Sequence, residues 1–322
     1  MKAAVYYATG SPDVFRYEDV PDPVVPDDGV LVRVEAVSIE GGDTLNRAGG
    51  ETGGVPHVVG YQCAGTVIEA GSAVGGLAVG DRVVTVGLDG SHAALRSAPE
   101  AFCWKIPEGL ATEEAACIPV AFGTAHDCLF EFGHLKAGET VLVQAGASGV
   151  GIAAIQFAKQ AGVRVLATAS RDDKLERLGE LGLDDGINYA ELDVISEVRR
   201  LTGGRGVDLV VESVGGASLP ASLQCLAYRG RCMSVGDAGR DKASLVDLSL
   251  MRPNNLTLTG YFLGAELFMS PRAREMVSSI IDDVAADRVR VVIDRRFPLS
   301  EAAAAHAYIE SRKAFGRVLL LP

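Results

Sequence analysis

Basic charge is in short supply in this sequence. Its 322 residues carry 30 Lys and Arg against 42 Asp and Glu, a formal net charge of −12. No Lys/Arg cluster offsets that balance locally. An acidic surface repels a phosphate backbone, which argues against a nucleic-acid partner. Membrane-spanning runs are also missing, because Gly, Lys or Asp interrupts each apolar stretch before it reaches bilayer length. The opening Met1-Lys2-Ala3-Ala4-Val5-Tyr6-Tyr7 reads as a strand. It has neither the basic region nor the apolar region of a signal peptide, so a soluble, cytoplasmic protein without membrane contact is expected. None of the six cysteines forms a C-x-x-C pair, which implies reduced and buried thiols. The sequence shows no internal repeat and no low-complexity tract.

Apolar residues make up 48% of the chain, enough for substantial cores, and the length implies two domains. Residues 1–121 are rich in Val, Gly, Pro and Asp, with short alternating runs at 30–37, 65–70 and 81–86. That pattern predicts antiparallel strands in a β-rich domain. From 122 to 260, strands alternate with helices. Strands are predicted at 140–144, 164–169, 187–189, 208–212, 231–235 and 256–262. A helix over 150–161 is closed by Gly162. A second is opened by Ser170 and Asp173 as a weak capping box and closed by Gly182. Ile195, Val198 and Leu201 line a third, and Leu219, Leu223 and Leu226 mark a fourth. The alternation predicts an α/β fold, a doubly wound parallel six-stranded (Rossmann) sheet. Residues 261–322, with a helix near 271–287 and a strand at 318–321, are expected to return to the first domain.

Between the first strand and first helix of the α/β region lies Val143-Gln144-Ala145-Gly146-Ala147-Ser148-Gly149-Val150-Gly151. A dinucleotide fold needs small residues there, so that the backbone turns tightly and the pyrophosphate meets a helix N-terminus. A full G-x-G-x-x-G would place Gly where Ser148 stands, while Gly146, Gly149 and Gly151 remain. The second strand ends Thr168-Ala169-Ser170-Arg171, without the acid that an NAD site uses for the ribose 2′-hydroxyl. Ser170, Arg171 and Lys174 offer a hydroxyl and two cations for a 2′-phosphate, so NADPH is the expected cofactor. Asp172 and Asp173 are explained by their place at a helix start.

Further segments follow in a specific order and spacing: 17–23 (YEDVPDP), 56–65 (PHVVGYQCAG), 80–83 (GDRV), 144–151, 187–189 (INY), 211–216 (VESVGG), 306–313 and 316–318 (GRV). In these the chain resembles the zinc-independent quinone oxidoreductases, of zeta-crystallin type, within the medium-chain dehydrogenase/reductase superfamily. The resemblance implies a GroES-like catalytic domain formed by 1–121 and 261–322, with 122–260 as the dinucleotide-binding domain. It implies that Ser170, Lys174 and Tyr189 hold the 2′-phosphate and that Thr124 lies beside the nicotinamide. It adds Ala147, Ser148, Gly149 and Val150 in the turn, Arg171 after the second strand, and Ser213, Val214, Gly236, Phe262 and Arg317 as cofactor contacts. It also implies a homodimer formed along the last sheet strand, which fits the need to cover an open sheet edge.

Zinc-dependent members use a Cys, a Gly-His-Glu segment and a later Cys or Asp. Here those places read Glu40 and Gly60-Tyr61-Gln62. The clustered cysteines of a structural zinc lobe are absent, and His57, His92, His126, His134 and His306 stand apart in sequence, so no metal is expected. Without a Lewis acid, the favoured chemistry moves hydride from NADPH to an electron-poor small molecule, a quinone or enone. Glu40, Tyr61 and Thr124 are the candidate catalytic residues. Glu40 replaces a family Asn, and is either a functional acid or a structural carboxylate paired with backbone or Arg47. Tyr61 either donates a proton or walls the pocket. Thr124 bonds substrate or nicotinamide, or only caps a helix. Asp43 is expected to shape its loop. Glu212 lies near the expected nicotinamide position, or is a sheet-end carboxylate bonded to a loop. Two alternatives share the cofactor: an enoyl-thioester reductase, and an NADPH-binding protein without turnover.

Overall fold

A computed structural model of the chain describes residues 1–50, 52–240 and 244–322. They form two compact units, Met1–Gly123 with Leu263–Pro322, and Thr124–Phe262.

The chain begins with β1 (Lys2–Val5) paired antiparallel with β2 (Arg16–Asp19). Next come β3 (Gly29–Ser38), α1 (Gly41–Gly49), β4 (Gln62–Ala70), β5 (Arg82–Val86), β6 (Leu95–Pro99) and β7 (Cys103–Lys105), then α2 (Thr112–Ala115) and α3 (Ile118–Leu129). β3 is central and pairs antiparallel with both β4 and β6. Its period-2 pattern turns Val30 and Val32 into a core shared with Val67 and Val83.

The middle of the chain supplies β8 (Thr140–Val143), α4 (Gly149–Gln160), β9 (Arg164–Ala169), α5 (Asp172–Gly179), β10 (Asp185–Asn188), α6 (Val194–Leu201), β11 (Val207–Glu212), α7 (Ser218–Cys225), β12 (Leu226–Ser234) and β13 (Thr257–Gly260). All six strands run parallel in the order β10-β9-β8-β11-β12-β13. This is the doubly wound order of a dinucleotide fold, whose switch point lies between β8 and β11. Val210, Leu142 and Leu166 on the central strands pack with Leu219 and Leu223 of α7 and Val198 of α6.

Two expectations need correction. Leu226 opens β12 rather than closing α7, because Gly206 leads into β11 so closely that the parallel partner begins there, at the register Val207↔Leu226. The start of α5 has Arg171, not Ser170, at the N-cap, and no side chain caps it. Asp173 instead pairs with Arg171 at 2.8 Å.

The last segment contains α8 (Leu263–Met269), α9 (Pro271–Ala285), β14 (Ile293–Pro298), α10 (Ala302–Glu310) and β15 (Arg317–Leu321). β15 pairs antiparallel with β3 at Leu319↔Ser38, so the C-terminal strand completes the seven-stranded sheet of the first unit. Val318 and Leu320 join Val37, Ile39, Cys63 and Leu299 in its second apolar cluster. Among the described residues, no helix is long and apolar enough to cross a membrane.

Candidate functional site

The turn after β8 is built for close backbone approach. Ala145 sits at φ 51, and a Cβ on Gly151 would lie 2.5 Å from the Ala145 carbonyl oxygen. A Cβ on Gly146 would meet the Ala167 methyl at 2.8 Å. Only glycine lets the turn pack this tightly on β9 and on itself. Ser148 is the N-cap of α4 and accepts from Gly151 N–H at 3.0 Å. Its hydroxyl therefore replaces the missing glycine with a cap, and the first-turn N–H groups of α4 stay aimed outward. Ala147, Gly149 and Val150 lie in the same turn, so this cradle fits a dinucleotide pyrophosphate.

The end of β9 carries the next group. β10 pairs with β9 at Asn188↔Ala169, and Tyr189 N–H donates to Ala169 O at 3.1 Å. The register thus brings Tyr189, 42% exposed, beside Ser170 although 19 residues separate them. Lys174 is buried on α5. Arg171 is exposed, and both of its bonds to Asp173 measure 2.8 Å. Residues 168–171 at the strand end include no acid, while Asp172, the next residue, accepts from Asn188 Nδ2 at 3.0 Å.

Ser213 and Val214 follow β11, the neighbour of β8, and are half-buried. Gly236 follows β12, and Phe262 is exposed just past β13. Glu212 is fully buried. Its carboxylate accepts from Val214 N–H at 2.7 Å, Gly215 N–H at 3.0 Å, Ser218 Oγ at 2.8 Å and Ser222 Oγ. Of its two readings, the structure has the one in which it holds the following loop.

In the first unit, Glu40 precedes α1 and is buried. Arg317 donates to it, as does Gln62 Nε2 at 2.5 Å. Arg317 also donates to Ser38 Oγ at 2.7 Å and Ile39 O at 2.9 Å. Burial pushes the Glu40 carboxyl up from its ordinary value, against the pull of Arg317 and Gln62. Asp43 accepts from Glu40 N–H at 2.8 Å and Tyr61 N–H at 3.1 Å. Burial raises its carboxyl to about 7 against the pull of the Glu40 and Tyr61 N–H donors, with the Glu40 charge a smaller upward push. Asp43 thus shapes the loop, as expected. Tyr61 lies over Gly42, where a Cβ would sit 2.3 Å from the ring. Its hydroxyl accepts from Asn46 Nδ2 at 3.1 Å, and burial raises the phenol above its usual value.

Several expectations are revised here. Glu40 pairs with Arg317 and Gln62, not Arg47, whose guanidinium bonds the Gly10 carbonyl and Glu310 instead. Arg317, expected as a cofactor contact, is buried and bonds Glu40, Ser38 and Ile39 through Nε and Nη2. Thr124 lies in the middle of α3, so it is not a helix cap. His92 and His306 are not isolated, because their Nε2 atoms meet at 3.0 Å. Asn46, Gln62 and Gln144 were not singled out as site residues. The available signal was polarity at places patterned for burial: Gln62 opens a strand inside an apolar domain, and Gln144 follows the buried run 141–143.

The Alcohol dehydrogenase GroES-like domain family matches residues 26–116, and the Zinc-binding dehydrogenase family matches residues 149–295. The 2-haloacrylate reductase of a Burkholderia species is 33% identical over 329 residues, covering 99% of this chain and 98% of the relative. The quinone oxidoreductase of Pseudomonas aeruginosa is 31% identical over 323 residues, covering 100% and 99%. Among solved structures, Escherichia coli quinone oxidoreductase complexed with NADPH superposes with a TM-score of 0.95 at 27% identity, with 100% of both chains covered. The name of the second family raises the question of zinc. Among the described residues, no three or more His, Cys, Asp or Glu are grouped to hold a metal ion. Glu40 is engaged by Arg317 and Gln62, and Tyr61 by Asn46, a donor set that does not fit zinc.

Proposed function

The chain belongs to the zeta-crystallin-like quinone oxidoreductases of the medium-chain dehydrogenase/reductase superfamily, and from that premise we propose that it is an NADPH-dependent reductase of quinones or other conjugated carbonyls. The observation that carries this reading is the end of β9: residues 168–171 include no acid, Ser170, Arg171 and Lys174 follow the strand, and the register of β10 brings Tyr189 beside it. Ser170, Lys174 and Tyr189 would hold a 2′-phosphate there, and a 2′-hydroxyl finds no acid at residues 168–171. The relatives are named for 2-haloacrylate and for quinone, two electron-poor conjugated compounds, which supports an electron-poor acceptor here.

Bound NADPH would supply the hydride. The turn 145–151 would hold the pyrophosphate through the N-terminus of α4, and Ser213, Val214, Gly236 and Phe262 would hold the nicotinamide end of the same unit. Thr124 directs its hydroxyl to the nicotinamide amide or the acceptor oxygen. Tyr61 supplies the proton that follows the hydride. Asn46 donates to the phenolic oxygen, so the Tyr61 O–H remains available for donation. Glu40 and Arg317 hold the loop that presents Tyr61. The protein works as a homodimer in this reading, with the open edge at β13 covered by a second copy.

Following loss of reduced nicotinamide with a simple quinone tests the reading, with NADH as control. Turnover with NADPH at least about tenfold faster than with NADH supports it. Equal rates with the two cofactors contradict the 2′-phosphate site. NADPH binding without oxidation by quinones, enones or enoyl thioesters contradicts the activity.

A further inference from the structure

Glu212 is a buried carboxylate that the reaction does not use, yet it ends a continuous chain of hydrogen bonds inside the dinucleotide-binding unit. Starting from the phosphate turn, Ala145 N–H donates to Thr168 Oγ1 at 3.1 Å. Thr168 Oγ1 donates to Gln144 Oε1 at 2.7 Å. Gln144 Nε2 donates to Ser222 Oγ at 2.9 Å, and Ser222 Oγ donates to Glu212. On its other side, Glu212 accepts the N–H groups of Val214 and Gly215. The side chains of Thr168, Gln144, Ser222 and Glu212 are all buried.

The direction of every link follows from the charge at one end. A carboxylate only accepts, so Ser222 must spend its single proton on Glu212 and can only accept from Gln144. That fixes the Gln144 amide with nitrogen toward Ser222 and oxygen toward Thr168. Thr168 then donates to Gln144 and accepts from Ala145. Reversing the first link reverses the amide and removes the order from the last. The chain joins the ends of adjacent strands β8 and β11, on either side of the switch point of the sheet.

We propose that Glu212 is a positioning residue for the cofactor: through Ser222, Gln144 and Thr168 it sets the conformation of the phosphate turn while directly holding the 213–215 loop, so the two ends of the dinucleotide site are aligned as one unit. The inference rests on the reading of 145–151 as the pyrophosphate cradle. A merely local role would confine the effect of Glu212 to the loop it touches. The relay instead requires that changing Glu212, or Ser222, which does not touch that loop, weakens a ligand without the nicotinamide.

The test uses 2′-phospho-ADP-ribose, which carries the adenosine, 2′-phosphate, pyrophosphate and distal ribose but no nicotinamide, and 2′-AMP, which stops before the pyrophosphate. Binding is measured by calorimetry on the intact protein and on Glu212→Gln, Ser222→Ala and the double variant. Each single variant is expected to weaken 2′-phospho-ADP-ribose about fivefold, the worth of one lost alignment bond, and to leave 2′-AMP within about twofold. The double variant is expected to be no weaker than the worse single one, since both cut the same chain. Ser222→Ala removes a single hydroxyl and carries the test if Glu212→Gln does not fold. Unchanged binding of 2′-phospho-ADP-ribose in Ser222→Ala, or fully additive losses, overturns the relay. Failure of the unaltered protein to bind 2′-phospho-ADP-ribose overturns the cofactor reading itself, and the relay with it.

Discussion

Glu40 and Arg317 form a buried ion pair between residues 277 positions apart. Removing one partner leaves an uncompensated charge inside the first unit. Glu40→Ala or Arg317→Ala is therefore expected to lower stability by about 3–5 kcal/mol, read from denaturant midpoints. A loss below about 1 kcal/mol contradicts a closed, desolvated pair. The neighbouring carboxyl has a pH signature. Asp43 titrates near 7 when folded against an ordinary 3.8, so the folded state holds the extra proton and Asp43 makes stability fall as pH rises across that window. His92 is pushed down to about 3 by burial, from 6.5, so the unfolded state holds the extra proton and stability rises with pH below about 6.5. The two slopes oppose each other in the overlap. Asp43→Asn removes one of them, and its stability is expected to climb more steeply than that of the parent between pH 4 and 7, by up to ~1.4 kcal/mol per pH unit. Parallel stability profiles contradict the assignment. Residue identity was readable from the sequence where the argument was local: Asp43 as a loop-shaping acid next to Glu40, and Tyr61 in place of a metal ligand. Partnership was not readable, because Glu40 with Arg317 and His92 with His306 meet only through β15 docking on β3 and α10 folding back, contacts that no local pattern encodes.

At the scale of elements, the strand, turn and helix from β8 to α4 carry the cofactor argument. Gly151→Ala places a methyl against the Ala145 and Gly146 carbonyl oxygens. The turn must then open, and NADPH affinity is expected to fall about tenfold or more with the circular dichroism spectrum retained. Unchanged affinity contradicts the cradle. At the end of β9, Asp173 neutralises Arg171 through an exposed ion pair. Asp173→Asn releases that guanidinium, and the preference for NADPH over NADH is expected to grow by about two- to fivefold in kcat/KM, lost again at high salt. The six parallel strands were legible because β-branched runs alternate with helical periodicity over the whole region. Cap residues were less so. Ser170 and Asp173 satisfied a capping pattern, but Arg171 offered Asp173 a bidentate charge partner, which prevails over a single backbone N–H. Leu226 continued the helical spacing of Leu219 and Leu223 but was claimed by strand pairing with β11.

For the molecule as a whole, the sequence patterns at 1–121 and 318–321 anticipated a β-rich domain closed by the C-terminal strand, and β15 on β3 has that arrangement. The homodimer reading makes its own prediction: light scattering at micromolar protein should give twice the 33.6 kDa chain mass, and a charged replacement at the exposed β13 edge such as Thr257→Lys should shift it toward one chain. The central claim is hydride transfer from NADPH to a conjugated carbonyl, and the most direct measurement follows the hydride itself. The protein is given NADPH deuterated at the transferring position of the nicotinamide, with a simple enone, and the product is examined by NMR. The account predicts a single deuterium on the carbon β to the carbonyl, and a solvent-derived proton at the α carbon. Product formed without deuterium at the β carbon, or no reduction of the enone or of a quinone while NADPH remains bound, would contradict it.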